Sequence, residues 1–386
     1  MKRERVLRII TRLCVAGAPI NTILLTAKLD PASYESYLLS GRIESYESDM
    51  SYLADKYGVK PIYINSMGRE LKLINDLKAL LNTIKVMNKI KPDIVHTHTA
   101  KAGMLGRVAA KIMGVKIIVH TFHGNVFKDY FGKRKTAFFI LLEKKLSKIS
   151  TKIIAISKQQ KQELIDLKIT NKDKIHVVPL GFDFSNVMPS VSDKGKFIEQ
   201  YSIPPKATLI GIIGRLAPIK NHMLFLDIAE KLSSKNENIY FTIIGDGELR
   251  EFLQEEIHKR NLTDKILITG VIKNLKPVYA DLDLVLLTSN NEGTPVAIIE
   301  AMACKKVVMT TKVGGVEDFV DNKVNGFYFP KNNAELFVQE IESLLTKNTN
   351  CNAMINAASE KAFQQFSSTR LTNDIENMYK SLKENQ

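Results

Sequence analysis

GIIGRLAPIKN, residues 211–221, is the stretch from which the fold can be read. An apolar run ends at Gly214, Arg215 and Lys220 follow in a short loop, and a helical pattern opens near His222. A strand that hands over to a helix in this way is the join of a parallel α/β unit. Outward from it, β-branched or aliphatic runs recur at 209–213, 240–244, 266–269, 284–287 and 307–310, separated by helical stretches. An earlier series reads the same way at 6–10, 34–39, 62–64, 94–97, 116–120, 153–156 and 175–178. Its helical periodicity is clearest over 71–89 and 103–113.

The expected fold class is therefore α/β, with two facing doubly wound Rossmann-like domains whose ligands sit at the carboxyl ends of the strands. The first domain is expected over 1–183 and the second over 206–368. A linker is expected at 184–205, which is poor in long apolar runs and carries Pro189, Pro204 and Pro205. A helical pattern at 369–386 has no strand after it, and periodicity leaves open whether it crosses back onto the first domain.

A chain of 386 residues exceeds what one core usually supports. With 45% hydrophobic and 25% charged residues, disordered and collagen-like classes are excluded. Cys14, Cys304 and Cys351 are scattered without metal-ligand spacing, which fits a reducing compartment. The basic start MKRERVLRIITRL is interrupted by Arg8 and Arg12 before its apolar run reaches signal length. No stretch approaches the ~20 apolar residues of a membrane span, so the expected location is cytoplasmic. Residues 1–183 hold 32 Lys and Arg against 16 Asp and Glu, whereas residues 184–386 hold 23 against 25. All of the net charge of +14 thus belongs to the first half, pointing to a nucleic acid or an anionic membrane surface as partner.

Four groups of residues could carry chemistry. Arg215 and Lys220, in the loop after Gly214, would suit a diphosphate beside a helix start, Arg215 forking two oxygens and Lys220 acting as a point charge. In SNNEGTPVAIIEAMACKKVV, residues 289–308, a loop with Glu292, Gly293, Thr294 and Pro295 leads into a helix. Thr294 suits a cap and Pro295 the first turn, while Glu300 interrupts an apolar run where an unpartnered carboxylate would be costly. The Gly-Asp-Gly turn of IIGDGELR, residues 243–250, counts only as part of the set. In the first half, Gly17 opens a helix after the first strand, and His123 stands beside Gly124 just past a strand end. His96, His98 and His120 read equally well as structural residues. Asp281 and Asp283 imitate a metal-binding pair, but they lie where a helical turn feeds a strand, so a turn or cap role is the preferred reading.

Together these segments resemble the retaining glycosyltransferases of the large family four, which have the GT-B fold. The likeness spans nearly the whole chain. It implies that Arg215 and Lys220 hold the donor diphosphate, Glu292 the donor sugar hydroxyls and Glu300 the ribose. By the same likeness Gly214, Gly293, Thr294 and Pro295 shape the donor site, and His123 lies near the transferred sugar. Gly17 matches a glycine-containing first loop, although Gly-Ala-Pro stands where a double glycine is usual. The run VHTHTAKAGMLGRVAAK, residues 95–111, is similar to bacterial members that build capsules, O-antigens or related glycans.

One basic, apolar segment remains, KDYFGKRKTAFFILLEKKLSKIS at 128–150. Lys128, Lys133, Arg134 and Lys135 precede Phe138 and Phe139, a composition suited to an anionic lipid surface. The other reading is an ordinary helix that buries 138–142 under a basic rim. The expected activity is retaining transfer of a hexose or N-acetylhexosamine from a nucleotide-diphosphate donor, UDP-linked by preference, to a lipid-linked saccharide. The first domain would take the acceptor and the second the donor. No cofactor, no metal and no nucleic acid are expected, and the enzyme would be peripheral on the inner face of the plasma membrane. The rivals are a nucleic-acid-binding protein, which lacks any interleaved aromatic platform here, and a sugar-nucleotide epimerase on the same fold.

Overall fold

The computed structural model describes residues 3–14, 17–43, 49–68, 70, 72–124, 132–346 and 351–384. They fall into two compact units, one of residues 1–182 with 366–386 and one of residues 183–365.

The first unit is built on the strands β1 (Glu4–Arg12), β2 (Tyr34–Gly41), β3 (Ile62–Ile64), β4 (Ile94–His98), β5 (Ile117–Phe122), β6 (Lys152–Ala155) and β7 (Ile175–Val177). They pair in parallel in the order β3-β2-β1-β4-β5-β6-β7. The connecting helices are α1 (Gly17–Lys28), α2 (Ser51–Lys56), α3 (Leu73–Ile90), α4 (Ala100–Ile112), α5 (Lys133–Ile149) and α6 (Lys158–Asp166). In the second unit, α7 (Lys196–Gln200) precedes the strands β8 (Thr208–Ile213), β9 (Ile239–Ile244), β10 (Ile266–Gly270), β11 (Leu284–Leu287), β12 (Val307–Thr311) and β13 (Phe327–Phe329). These run parallel in the order β10-β9-β8-β11-β12-β13. Its helices continue with α8 (His222–Ser233), α9 (Arg250–Lys259), α10 (Lys276–Asp281), α11 (Val296–Ala303), α12 (Ala334–Thr346) and α13 (Asn352–Phe366), and α14 (Ser368–Glu384) ends the chain.

Both sheets are doubly wound. Each places its first strand beside its fourth, β1 against β4 and β8 against β11, so each has a switch point where successive loops part. Strands buried on both faces need continuous apolar sequence, and 284–287 is Leu-Val-Leu-Leu throughout. The short β13 escaped the sequence reading because its three residues, Phe-Tyr-Phe, are too few to show a period.

Helix α14 lies in the first unit. Phe182 N–H donates to the Phe366 carbonyl at 2.7 Å, and Ser368 N–H returns a bond to Phe182 O at 2.9 Å. Arg370 Nη2 then donates to the carbonyls of Pro179 and Leu180 at 2.8 and 2.7 Å. Leu371, Ile375, Met378 and Tyr379 complete the core over β1, β4 and β5.

The expected linker, 184–205, is structured inside the second unit. Asp281 explains why. Its carboxylate accepts backbone N–H bonds from Gly195 at 2.7 Å, Phe197 at 2.9 Å and Ile198 at 3.2 Å, at the start of α7. Asp283 accepts from Leu209 N–H at 2.8 Å, fixing the start of β8. Both aspartates therefore serve the backbone. Asp281→Ala would leave buried N–H groups without an acceptor and should destabilise the second unit by about 2–4 kcal/mol. Urea unfolding followed in that unit checks this, and a variant as stable as wild type would show that water replaces the carboxylate.

Candidate functional site

The second unit gathers its polar loops at the β8/β11 switch point. Lys220 ends the loop after β8, and its Nζ lies 2.6 Å from Glu292 Oε1 in the loop after β11. The same oxygen accepts from Ser289 Oγ at 2.6 Å. The two loops are also stitched by backbone, Asn290 N–H to Ile219 O at 2.8 Å and Thr288 Oγ1 to Lys220 O at 3.0 Å. From β12, Thr311 Oγ1 donates to Ser289 O at 2.6 Å. Lys220 and Glu292 are thus held in place by the protein's own bonds.

Two glycines make the loops fit. Gly314, at φ +54°, passes so close to the Glu292 carbonyl that a Cβ would lie 1.8 Å from its oxygen. Gly245, at φ +142°, leaves a Cβ only 1.9 Å from Gly214 O, which brings the Gly-Asp-Gly turn against the loop after β8. Leu216 N–H donates to Asp246 O at 3.0 Å across that contact. Arg215 is exposed at the rim.

Helix α11 begins at Val296, one residue later than expected. Pro295 occupies the cap position without a side-chain bond, so the cap role expected of Thr294 is not seen. The bonds to Pro295 O come from Ile298 and Ile299, leaving the Val296 and Ala297 N–H groups facing out of the helix start. Gly293 is exposed and Thr294 half-buried. Glu300, one turn further in, accepts from Tyr279 OH at 3.0 Å. Burial pushes its carboxyl up to about 7, and the Tyr279 bond offsets only part of this. Ser289, Tyr279 and Gly314 were missed by sequence reading. Of these, only Gly314 left a signal, the Gly-Gly pair just after a strand.

In the first unit, Gly17 opens α1, and a line of imidazoles occupies one face of β4 and β5. His96 bridges Tyr379 OH and Thr121 Oγ1 at 2.7 Å each. It stacks on His98 with ring centroids 4.4 Å apart. His98 Nδ1 in turn lies 2.8 Å from His123 Nε2 at the strand exit. On the opposite face His120 bonds Thr97 Oγ1 at 2.8 Å. Burial pulls His123 down to about 3 and holds the other three well below the ordinary histidine range. At neutral pH all four are uncharged, so one ring of the His98–His123 pair donates and the other accepts. His96 and His120 are structural, whereas His98 reaches the candidate residue His123, a link the sequence did not reveal.

Helix α5 divides its apolar residues. Phe138 and Leu141 are 60% and 55% exposed, beside exposed Arg134 and Lys135. Phe139, expected on the outer surface, is half-buried against the cluster of Phe122 and Leu164. A buried ion pair fixes the helix, Arg107 Nη2 to both Glu143 oxygens at 2.8 Å. Lys128 lies outside the described residues, and Lys133 starts the helix. Among the described residues no group of three or more His, Cys, Asp or Glu is placed to hold a metal ion.

Two family models match the chain. One, described as Glycosyltransferase Family 4, covers 23–186, and the other, described as Glycosyl transferases group 1, covers 193–361. The UDP-Gal:alpha-D-GlcNAc-diphosphoundecaprenol alpha-1,3-galactosyltransferase of Escherichia coli is 29% identical over 332 residues, 85% of each chain. The capsular polysaccharide biosynthesis glycosyltransferase CapM of Staphylococcus aureus is 28% identical, over 86% of this chain and 88% of that one. Among solved structures, a glycosyltransferase from Rickettsia africae superimposes with a TM-score of 0.82 at 22% identity, covering all of both chains. Anabaena HepE with UDP and glucose gives 0.84 at 19% identity, covering 98% of this chain and 100% of that one.

Glu300 should leave a mark on stability. Its folded value, about 7, lies above the ordinary 4.5, so folding favours the protonated form. The stabilisation is complete below about pH 4.5 and is lost as pH rises through about 7. Glu300→Gln should flatten that part of the stability profile, measured by denaturant melts from pH 4 to 8. A slope unchanged in the variant would show that another group causes it.

Proposed function

Because the chain belongs to the family-four glycosyltransferases of the GT-B fold, we propose that it transfers a hexose or N-acetylhexosamine from a UDP-linked donor to a lipid-linked saccharide, with retention at the anomeric carbon. The observation that carries this reading is the Lys220–Glu292 pair at the β8/β11 switch point, beside exposed Arg215 and the open start of α11. The printed name of the Escherichia coli relative supports both the UDP-sugar and the diphosphate-lipid acceptor.

In this reading Arg215, Lys220 and the N–H groups of Val296 and Ala297 receive the donor diphosphate. Glu292 is acceptor-only when ionised, so it takes hydrogen bonds from donor-sugar hydroxyls while Lys220 balances its charge. Glu300 accepts from the ribose, which favours its ionised form. The bond from the anomeric carbon to the diphosphate oxygen breaks as the acceptor oxygen bonds the same face of that carbon. The acceptor's proton passes to the departing diphosphate, and the bond electrons remain on its oxygen. Catalysis is positioning plus stabilisation of the leaving charge, and no metal is assigned a step. His123, neutral, is assigned to the transferred sugar as a hydrogen-bonding group rather than a charge.

The acceptor is assigned to the first unit, which carries the excess of positive charge. No helix among the described residues is long and apolar enough to cross a membrane. In this reading the enzyme works as a peripheral protein at the inner face of the plasma membrane, and exposed Arg134, Lys135 and Phe138 on α5 support it by offering cations and an aromatic ring to anionic lipid.

Lys220→Ala or Arg215→Ala should lower turnover by roughly two to three orders of magnitude with folded yield unchanged. Steady-state transfer from UDP-sugars measures this, and activity within a few-fold of wild type would remove the diphosphate assignment. Glu292→Ala should likewise lose transfer. Wild-type transfer should persist in excess chelator, and loss restored by manganese would overturn the metal-free reading.

A further inference from the structure

Helix α3 carries an outer face that the fold leaves uncovered. Its inward residues, Ala79, Thr83, Met87 and Ile90, recur at helical spacing and pack over β1 and β4 with α4. On the other side, Leu73 is 90% exposed, Ile74 72%, Leu77 58% and Leu81 51%. Large aliphatic residues scattered singly on a surface need no explanation, but four on the first three turns of one helix form a patch. Lys78, Lys85 and Lys89 are exposed on the same helix. Its one acidic residue, Asp76, points back to Lys101 with Nζ–O at 2.5 Å, and Glu70 ahead of it is 2.8 Å from Lys72. The outer face thus presents aliphatic residues and the cations Lys78, Lys85 and Lys89, without a free carboxylate from the helix itself.

We propose that the first turns of α3 insert into the apolar margin of an anionic lipid bilayer, supplying the salt-resistant part of membrane attachment. The cations identify the occupant. An aliphatic patch made for a second protein copy would have no need of three lysines and no free acid, whereas headgroups of negative charge complement them. The topology adds a second reason. In a parallel sheet each following helix starts at the carboxyl edge of the strands, so Leu73, Ile74 and Leu77 lie toward the edge where β5 delivers His123. The exposed Phe138 and Leu141 lie in the first half of α5, which starts from that edge too, with α4 packed against both helices. A lipid-linked acceptor assigned to this unit would have its lipid beside the patch. The inference rests on the membrane-peripheral reading above and goes beyond it by giving the apolar contact to α3, with α5 contributing mainly charge.

Co-sedimentation of the full chain with vesicles of phosphatidylglycerol and phosphatidylcholine, and with phosphatidylcholine alone, tests this at low and high salt. Wild type should bind the anionic vesicles and keep part of that binding in high salt. Leu73→Ser/Ile74→Ser/Leu77→Ser should lose the salt-resistant part, on the order of tenfold in affinity per residue, leaving weaker, charge-driven binding at low salt and an unchanged affinity for UDP. Arg134→Glu/Lys135→Glu should show the reverse, losing low-salt affinity first. If the serine variant keeps salt-resistant binding, α3 is not the inserting element, although the membrane reading survives. If wild type ignores both vesicles, the membrane reading itself fails. A wild-type dimer that the serine variant converts to monomer, by light scattering without lipid, would overturn the lipid assignment in favour of a second copy of the chain.

Discussion

All pairings between the named strands are parallel, and this constraint orders everything else in the molecule. A parallel strand cannot return by a hairpin, so each connection leaves from the carboxyl edge and travels back along a helix. Loops and helix starts therefore collect at one edge of each sheet. Where the winding reverses, between β1 and β4 and between β8 and β11, neighbouring loops part and leave room for a ligand. Lys220 and Glu292 meet at one of these points although 72 residues separate them.

The buried charges divide into those that hold the fold and those that the fold holds ready. Asp281 accepts from three backbone N–H groups with Lys194 nearby at 3.7 Å, and Arg107 Nη2 binds both oxygens of Glu143. Removing either partner would strand the other in a poorly solvated place, which makes these groups structural. The Lys220–Glu292 pair differs in being partly exposed, with side chains 23% and 10% accessible. That exposure leaves Lys220 open to solvent while it balances Glu292, as the proposed diphosphate role requires. Glu300 is intermediate, its one side-chain donor, Tyr279, too little to keep it fully ionised at neutral pH.

The first unit shows a different economy. His96, His98, His120 and His123 are neutral because burial disfavours the charged ring, so they order the interior by hydrogen bonds instead of by charge. The net positive charge of this half is carried by lysines and arginines on its helices, many of them exposed on α3 and α5. A neutral, hydrogen-bonded interior beneath a basic and partly aliphatic outer layer agrees with the lipid-linked acceptor proposed for this unit.

The sequence by itself determined the fold class, because the alternation of apolar runs and amphipathic stretches is a local property that each strand and helix carries in its own residues. It also determined the candidate residues of the second unit, since Arg215, Lys220, Glu292 and Glu300 lie in strand-end loops and at a helix start, where local pattern is informative. It did not determine which face of α5 is outward. Phe138 and Phe139 are adjacent in sequence, yet one is exposed and the other packs on Phe122 and Leu164, a choice made by the ion pair of Arg107 with Glu143. Nor could it separate His98 from His96, since both alternate onto the same face of β4, and only the neighbouring β5 decides that one meets Thr121 and the other His123. The tertiary structure alone decided that 184–205 is anchored, because the carboxylate that anchors it lies 83 to 86 positions further along the chain. Short-range pattern specifies elements. Contacts between distant residues depend on how the elements pack, and no local period records them.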